Sequence, residues 1–258
     1  MVHEQKRTSL ENALYVLKLF SLDQPEMSVT EISRKLDIAK STSYRLLSSL
    51  ASEGFVYKDP HSNLYSLGSS ILSLANIVHS QIPISNEALP ILNMLVETTG
   101  ENAHLSILEG TEVVYLKTLD GIYSSVDYIH HGSRKPAFCT SAGQAILAFH
   151  PDAAKLASHE LQVHAKNTII SPLAFLKRLD KVRKDGFAIC DQQYRNNITG
   201  IGVPVYGKSG QTIAALSITA FSKRVSSPRV QAKYIELLKK SSEKLTDMIK
   251  LRKRRDMK

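Results

Sequence analysis

Ser28-Val29-Thr30-Glu31-Ile32-Ser33-Arg34-Lys35-Leu36-Asp37-Ile38-Ala39-Lys40-Ser41-Thr42-Ser43-Tyr44-Arg45-Leu46-Leu47 holds two short helical patterns on either side of a tight break. Ser28 and Glu31 have capping-box spacing, in which each side chain bonds the backbone N–H of the other. Val29, Ile32 and Leu36 then fall on one helical face. The break at Asp37-Ile38 leads into a further helix expected to run to about Ser52, with Gly54 as its left-handed cap. Leu46, Leu47 and Leu50 are its expected buried stripe. The opposite face carries Lys40, Ser41, Thr42, Tyr44, Arg45 and Ser48, and no acid.

Upstream, Thr8 and Glu11 repeat the box, and Leu10, Leu14, Leu17 and Phe20 follow at helical intervals. Downstream, Phe55–Lys58 and Leu64–Leu67 read as two short strands joined by the turn Asp59-Pro60-His61-Ser62-Asn63. Helices separated by a tight turn and followed by a hairpin predict a winged helix-turn-helix, which delivers its last helix to the major groove. Hydroxyls and cations on an acid-free face can hold phosphates, and Arg45 can read a guanine edge. The expected DNA contacts are Ser28, Thr30, Lys40, Ser41, Thr42, Tyr44, Arg45 and Ser48, with Lys58 and His61 on the wing. A three-helix bundle docking to protein gives the same periodicity; the missing acid favours DNA.

The chain has 258 residues, 43% hydrophobic and 22% charged, which suits two modest globular domains and argues against disorder. It contains no apolar run of membrane-spanning length, and the polar Met1–Ser9 stretch lacks a secretory core. With only Cys139 and Cys190, neither a disulfide scaffold nor a four-cysteine zinc site is available, and a reducing cytoplasm is expected. The net charge of +9 sits entirely in residues 223–258, which hold 13 Lys and Arg against 4 Asp and Glu. The Lys250–Arg255 run is either a solvated helix end or a phosphate-contacting tail. The pI alone therefore does not establish DNA binding.

Ile71, Leu74, Ala75 and Val78 predict a helix from Ser69 to about His79, closed by Pro83. So apolar a helix needs a partner surface, either its own domain or the same helix of a second subunit. A helix over 85–100 follows, then strands at Ala103–Leu108, Val113–Thr118 and Ser124–His131, and a helix at Thr140–Phe149. Another helix begins at Ser171-Pro172 and ends at Gly186. Strands at Phe187–Tyr194, Ile201–Tyr206 and Thr212–Ala220 precede a long helix from Ser227-Pro228. Hairpin-linked strands with helices bunched between them predict an α+β domain with a mainly antiparallel sheet.

Several pieces together carry a resemblance. They are 29–36, 40–47, Glu53-Gly54-Phe55-Val56 and 64–68, then 132–145, Gly186-Phe187-Ala188 with Asp191, and Gly202-Val203-Pro204-Val205 running into Ala215–Ile218. In order and spacing the chain resembles the IclR family of bacterial transcriptional regulators over nearly its whole length. The resemblance implies a winged helix-turn-helix over 1–68, a linker helix over 69–82 and a GAF-like effector-binding domain over 83–258. It further implies a homodimer or dimer of dimers on a near-palindromic operator, more often repressing than activating. Ser43 departs from the family, which usually places an apolar residue there.

Cys139-Thr140-Ser141-Ala142-Gly143 starts a helix with small side chains, a setting that suits either a carboxylate or simply tight helix packing. The resemblance places the effector pocket here. Carried over, its residues are Ser141, Ala142 and Gly143, with Thr140 at the helix start, then Asp191, Gly200, Ser217 and Thr219. Gly200 stands where some relatives have cysteine, and Gln192-Gln193 replaces a common acidic pair; both leave the small organic acid unidentified.

His130-His131 with Asp127, His104 and Cys139 is a weak metal set, because adjacent strand residues point to opposite faces. Ser141-Ala142-Gly143 lacks the preceding glycine of a nucleophile elbow, and no base and orienting acid accompany it. Phosphate-loop and dinucleotide glycine patterns are absent. No catalytic or metal residues, no cofactor and no membrane partner are therefore expected. The competing reading is an enzyme or metabolite-binding protein whose N-terminal module docks to protein.

Overall fold

Both capping boxes form. Thr8 accepts from Glu11 N–H and caps α1 (Ser9–Leu19), and Ser28 accepts from Glu31 N–H and caps α2 (Val29–Leu36). In this computed structural model the described residues are 7–251 without 22, 125–128, 154 and 156–160; of 79–81 only the backbone is described. The tail at 252–255 and Asp127 lie outside them. By contacts the chain divides into residues 1–82 and 83–258.

In the first unit, Asp37 ends α2 in the left-handed region at φ 55°, and the Ser33 hydroxyl donates to the Ile38 carbonyl at 2.6 Å. That fixes the tight turn into α3 (Lys40–Ser52). Gly54 at φ 71° closes α3, with Phe55 N–H donating to the Leu50 carbonyl. The wing is β1 (Val56–Lys58) paired antiparallel with β2 (Tyr65–Leu67). Met27 bridges to Tyr65 as a third partner, which the sequence pattern did not reveal.

The core holds Val16, Met27, Ile32, Leu36, Leu47, Val56 and Tyr65. Two expectations need correction. Leu10 and Leu14 are 71% and 52% exposed, and α1 instead buries Val16 and Asn12. The apolar residues of α1 cover more than one face, and the small core takes only one. In α3 the buried pair is Ser43 and Leu47, with Leu46 and Leu50 half-buried. The Ser43 hydroxyl is buried with no partner among the described residues, an unfavourable feature just where an apolar side chain would fit. α4 (Ser69–Gln81) leaves Leu72, Leu74, Ile77 and Val78 exposed.

The second unit opens with α5 (Ile84–Thr99), which tolerates Pro90 on its exposed side and ends at Gly100 in the left-handed region. β3 (Asn102–Glu109) and β4 (Glu112–Leu119) form a hairpin around Gly110. The next described strand is β5 (Arg134–Pro136); of the strand expected at Ser124–His131, residues 125–128 lie outside the described residues and 129–131 are not in a strand. Residues 130–133 make a turn there, with His130 N–H on the Ser133 hydroxyl; Gly132 and Ser133 bond the backbone of Tyr115, and the strand register with β4 runs over Arg134–Pro136. A 3-10 turn (Ala137–Cys139), α6 (Ser141–Leu147) and α7 (Pro172–Asp185) precede β6 (Ala188–Asp191), β7 (Ile198–Tyr206) and β8 (Thr212–Phe221). α8 (Pro228–Leu251) follows.

The sheet order is β5-β4-β3-β8-β7-β6, antiparallel throughout. α6 and α7 pack on the face bearing Val113, Tyr115, Ala188 and Ala215. α5 and α8 contact each other and the same sheet through β3, β4, β7 and β8. Gly143 and Gly202 let α6 approach closely. A Cβ on Gly143 would lie 2.1 Å from the Ala137 carbonyl oxygen, and one on Gly202 would lie 2.7 Å from the Ser141 backbone. No helix among the described residues is long and apolar enough to cross a membrane.

Candidate nucleic-acid interface and ligand cavity

α3 presents Lys40, Ser41, Thr42, Tyr44, Arg45 and Ser48 outward, every one exposed, and has no acidic residue. The turn between α2 and α3, held by hydrogen bonds between Ser33 and Ile38, fixes the angle of this face. Lys58 and His61 are exposed on the wing, whose turn is held by the Asp59 carboxylate accepting from His61 and Ser62 N–H at 2.9 and 2.7 Å. Those hydrogen bonds, Ser62 first, hold the Asp59 carboxyl below its ordinary range. Two of the expected contacts are less available. Ser28 spends its hydroxyl on Glu31 as a helix cap, and Thr30 is half-buried.

In the second unit, the start of α6 borders a small, partly open cavity. Thr140, Ser141, Gly200 and Thr219 line it. Ala142 and Gly143 do not; they belong to the packing of α6 on the sheet. Ser217 sits one row away, opposite Gly202 and His104. Asp191 misses the cavity because strand neighbours face opposite ways. Cys190 pairs with Gly200, which pairs with Thr219, and this row faces the cavity. Asp191 pairs with Thr199 on the other face, where its carboxylate accepts from the Thr199 and Ser222 hydroxyls at 2.6 and 3.0 Å. Burial alone would raise the Asp191 pKa, but these hydrogen bonds and one from Gln192 outweigh it and hold it below the usual value.

The sequence reading also missed Tyr115, Ile129, Lys135, Cys190, Tyr194, Arg195 and Ile198 in the lining. The period of two along β6 and β7 could have exchanged Asp191 for Cys190 and added Ile198, two residues before Gly200; the others come from separate elements and had no local signal. Burial pushes the Cys139 thiol up to about 12 and raises Cys190 as well, so both are neutral, apolar wall at pH 7. Burial lowers His104 to about 3, and the neutral ring bonds the Thr219 hydroxyl through Nε2 at 2.9 Å. The His104 and Tyr115 rings meet in a T-shaped contact, 5.4 Å between centroids. His131, in contrast, is exposed and accepts Thr118 N–H, so the structure does not bring these histidines together.

The loop that carries Tyr194 and Arg195 is tied to the helices behind it. Gln144 of α6 donates to the Gln193 side chain at 2.7 Å and accepts from Arg178 of α7 at 3.1 Å. Lys135 Nζ lies 5.0 Å from the centre of the Tyr194 ring.

The sequence profile of the IclR helix-turn-helix domain matches residues 9–60, and that of the bacterial transcriptional regulator IclR C-terminal domain matches residues 76–247. The chain belongs to the IclR family. It is 30% identical over 220 residues to the HTH-type transcriptional regulator XynR of Escherichia coli, covering 84% of this chain and 87% of that protein. It is 28% identical over 244 residues to the Pca regulon regulatory protein of Pseudomonas putida, covering 92% and 82%. Among solved structures, the IclR of Thermotoga maritima superposes with a TM-score of 0.77 at 26% identity, covering 94% of this chain and 98% of that one. An IclR homologue from Microbacterium hydrocarbonoxydans, complexed with 4-hydroxybenzoate, shares the fold at TM-score 0.82 and 22% identity, covering 95% and 100%. This IclR-family chain is thus a transcriptional regulator with a helix-turn-helix DNA-binding domain.

Proposed function

We propose that the chain is a ligand-responsive repressor that binds its operator as a dimer, and that a small organic acid in the cavity at the start of α6 alters operator affinity. The observation that carries the DNA half is the exposed acid-free face of α3, with Arg45 as its base reader and Lys40, Ser41, Thr42, Tyr44, Ser48, Lys58 and His61 as backbone contacts. The exposed apolar residues of α4 suit a second copy of the same helix, which would space two recognition helices about one DNA turn apart. Lys135 and Arg195, with no acidic residue in the described lining, favour an anion in the cavity. A ligand changes DNA affinity only by binding one arrangement of the two recognition helices better than another. The Gln193–Gln144–Arg178 chain is the proposed means by which the lining loop passes such a preference to the helices behind it.

The test is selection of duplexes from a random pool on the purified full-length chain. The expected result is a two-fold symmetric consensus with half-sites about one helical turn apart, or a multiple of it. Failure to enrich any sequence, or a consensus without symmetry, would contradict the proposal.

A further inference from the structure

Charge is spread unevenly along the chain. Residues 1–82 hold eight Lys and Arg against eight Asp and Glu, and residues 83–222 hold twelve against twelve. Both stretches are neutral, and the whole surplus of nine lies in residues 223–258. The DNA-binding unit therefore meets a duplex through the local charges of α3 and the wing, with no net charge to draw it in. Beyond a Debye length, about 8 Å at physiological salt, an unbalanced segment is what attracts phosphate.

Part of that surplus stands on α8. Arg229, Lys233, Lys244 and Lys250 are exposed and make no ion pair with any described carboxylate. Lys233, Lys240 and Lys244 share one side of the helix, and Glu236, Glu243 and Asp247 the neighbouring side. Lys240 bonds Glu236 at 2.7 Å, but both side chains are mostly in water, so the pair is weak and yields readily to a phosphate. Cations near a helix C-terminus also suit its dipole, an effect confined to about the last turn. Lys233, Lys240 and Lys244 stand before that turn, and the sequence beyond Leu251 continues with Arg252-Lys253-Arg254-Arg255.

We propose that the Lys233–Lys240–Lys244 side of α8 and the Arg252–Arg255 run form a second duplex-binding surface, which holds backbone phosphates and reads no base. It supplies the larger share of the sequence-independent affinity, and α3 supplies the discrimination. An acidic protein or lipid surface would attract the same cations. Duplex DNA is the partner that the helix-turn-helix domain already requires, and a neutral reading unit leaves non-specific attraction to be supplied from elsewhere in the chain.

The test is the salt dependence of affinity for a random-sequence duplex, measured on the full-length chain between about 50 and 200 mM salt. The variants are Arg252→Gln/Lys253→Gln/Arg254→Gln/Arg255→Gln and Lys233→Gln/Lys244→Gln, each checked for an unchanged circular dichroism spectrum. Each lost phosphate contact flattens the slope of log K against log salt by about 0.9. The fourfold variant is expected to flatten it by at least about two units and the twofold variant by at least about one. The ratio of affinities for selected and random duplexes is expected to hold in both, because the phosphates are the same; a collapse of that ratio overturns the phosphate-only role. Slopes that both variants leave unchanged, while Lys40→Gln/Arg45→Gln flattens its own, overturn the second surface and leave α3 as the duplex face. Slopes flattened by these variants and not by Lys40→Gln/Arg45→Gln uphold the second surface and remove α3 instead. Binding of the native chain to phosphatidylserine–phosphatidylcholine vesicles, lost in the fourfold variant while its duplex slope stays native, assigns the segment to a lipid surface and overturns the proposal.

Discussion

Arg45→Glu is expected to lower affinity for the selected duplex by at least about 100-fold while leaving thermal stability within a degree or two. Arg45 is exposed midway along α3, where its guanidinium can span two acceptors of one guanine. Losing such a contact costs about 1–3 kcal/mol, and the carboxylate adds repulsion from phosphates on a face that otherwise carries no acid. Substitution at an exposed position without structural partners usually moves stability by less than about 0.5 kcal/mol. Fluorescence anisotropy with the selected duplex and with one whose half-site bases are changed separates the two contributions. Arg45→Ala should narrow the ratio between these duplexes, and Lys40→Ala should weaken both together. A ratio unchanged in Arg45→Ala would remove Arg45 from base reading.

The second large effect lies in the effector domain, away from the cavity. Glu101 is fully buried after the left-handed Gly100, and its Oε1 accepts from Arg224 Nε at 2.7 Å. The Arg224 guanidinium lies 3.4 Å over the Tyr123 ring, and Glu101 Oε2 has no partner among the described residues. Burial raises the Glu101 carboxyl above its ordinary value, and the Arg224 pairing only partly offsets this. Arg224→Ala leaves a buried carboxylate uncompensated. Breaking a buried pair costs about 3–5 kcal/mol, and because Arg224 is partly in water about 2–3 kcal/mol is expected here. For a unit of this size that is a loss of roughly 5–10 °C in Tm.

The pH dependence carries a definite sign. A raised carboxyl pKa in the folded state means that ionised Glu101 opposes folding, and that protonation relieves the cost. Without Arg224 the carboxyl rises further. The deficit of Arg224→Ala should therefore be largest at neutral pH and shrink as pH falls through the raised value. Glu101→Gln in the Arg224→Ala background should recover much of the lost Tm at pH 7. Calorimetric scans between pH 5 and 8 would show a pH-independent deficit if lost packing on Tyr123, not the stranded charge, were responsible.

The reading of the helix-turn-helix succeeded where residues act locally. Thr8–Glu11 and Ser28–Glu31 cap their helices through bonds three residues apart, and Gly54 closes α3 by its own backbone freedom. Such signals depend on no distant partner. The misplaced elements all depended on one. Leu10 and Leu14 have the spacing of a buried stripe, yet which face of α1 is covered is decided by α2, α3 and the wing. Of the strand expected at 124–131, residues 129–131 lead instead into a turn, because the register on β4 runs over Arg134–Pro136; residues 125–128 lie outside the described residues.

The cavity divides along the same line. Thr140 and Ser141 were visible as a helix start, and Gly200 and Thr219 came with the resemblance. Asp191 came the same way, and the register of β6 on β7 turns it outward and Cys190 inward. Tyr115, Lys135 and Tyr194 reach the cavity from three elements far apart in sequence. Only the assembled sheet brings them together.

The account depends most on the outward face of α3 being the surface that meets the duplex. Its most direct measurement is the salt dependence of affinity for a random-sequence duplex, compared between the native chain and Lys40→Gln/Arg45→Gln. Each phosphate neutralised contributes about −0.9 to the slope of log K against log salt. The native chain should give a steep negative slope, and the double variant one shallower by at least about one unit. An affinity independent of salt, or a slope that the two substitutions leave unchanged, would contradict it.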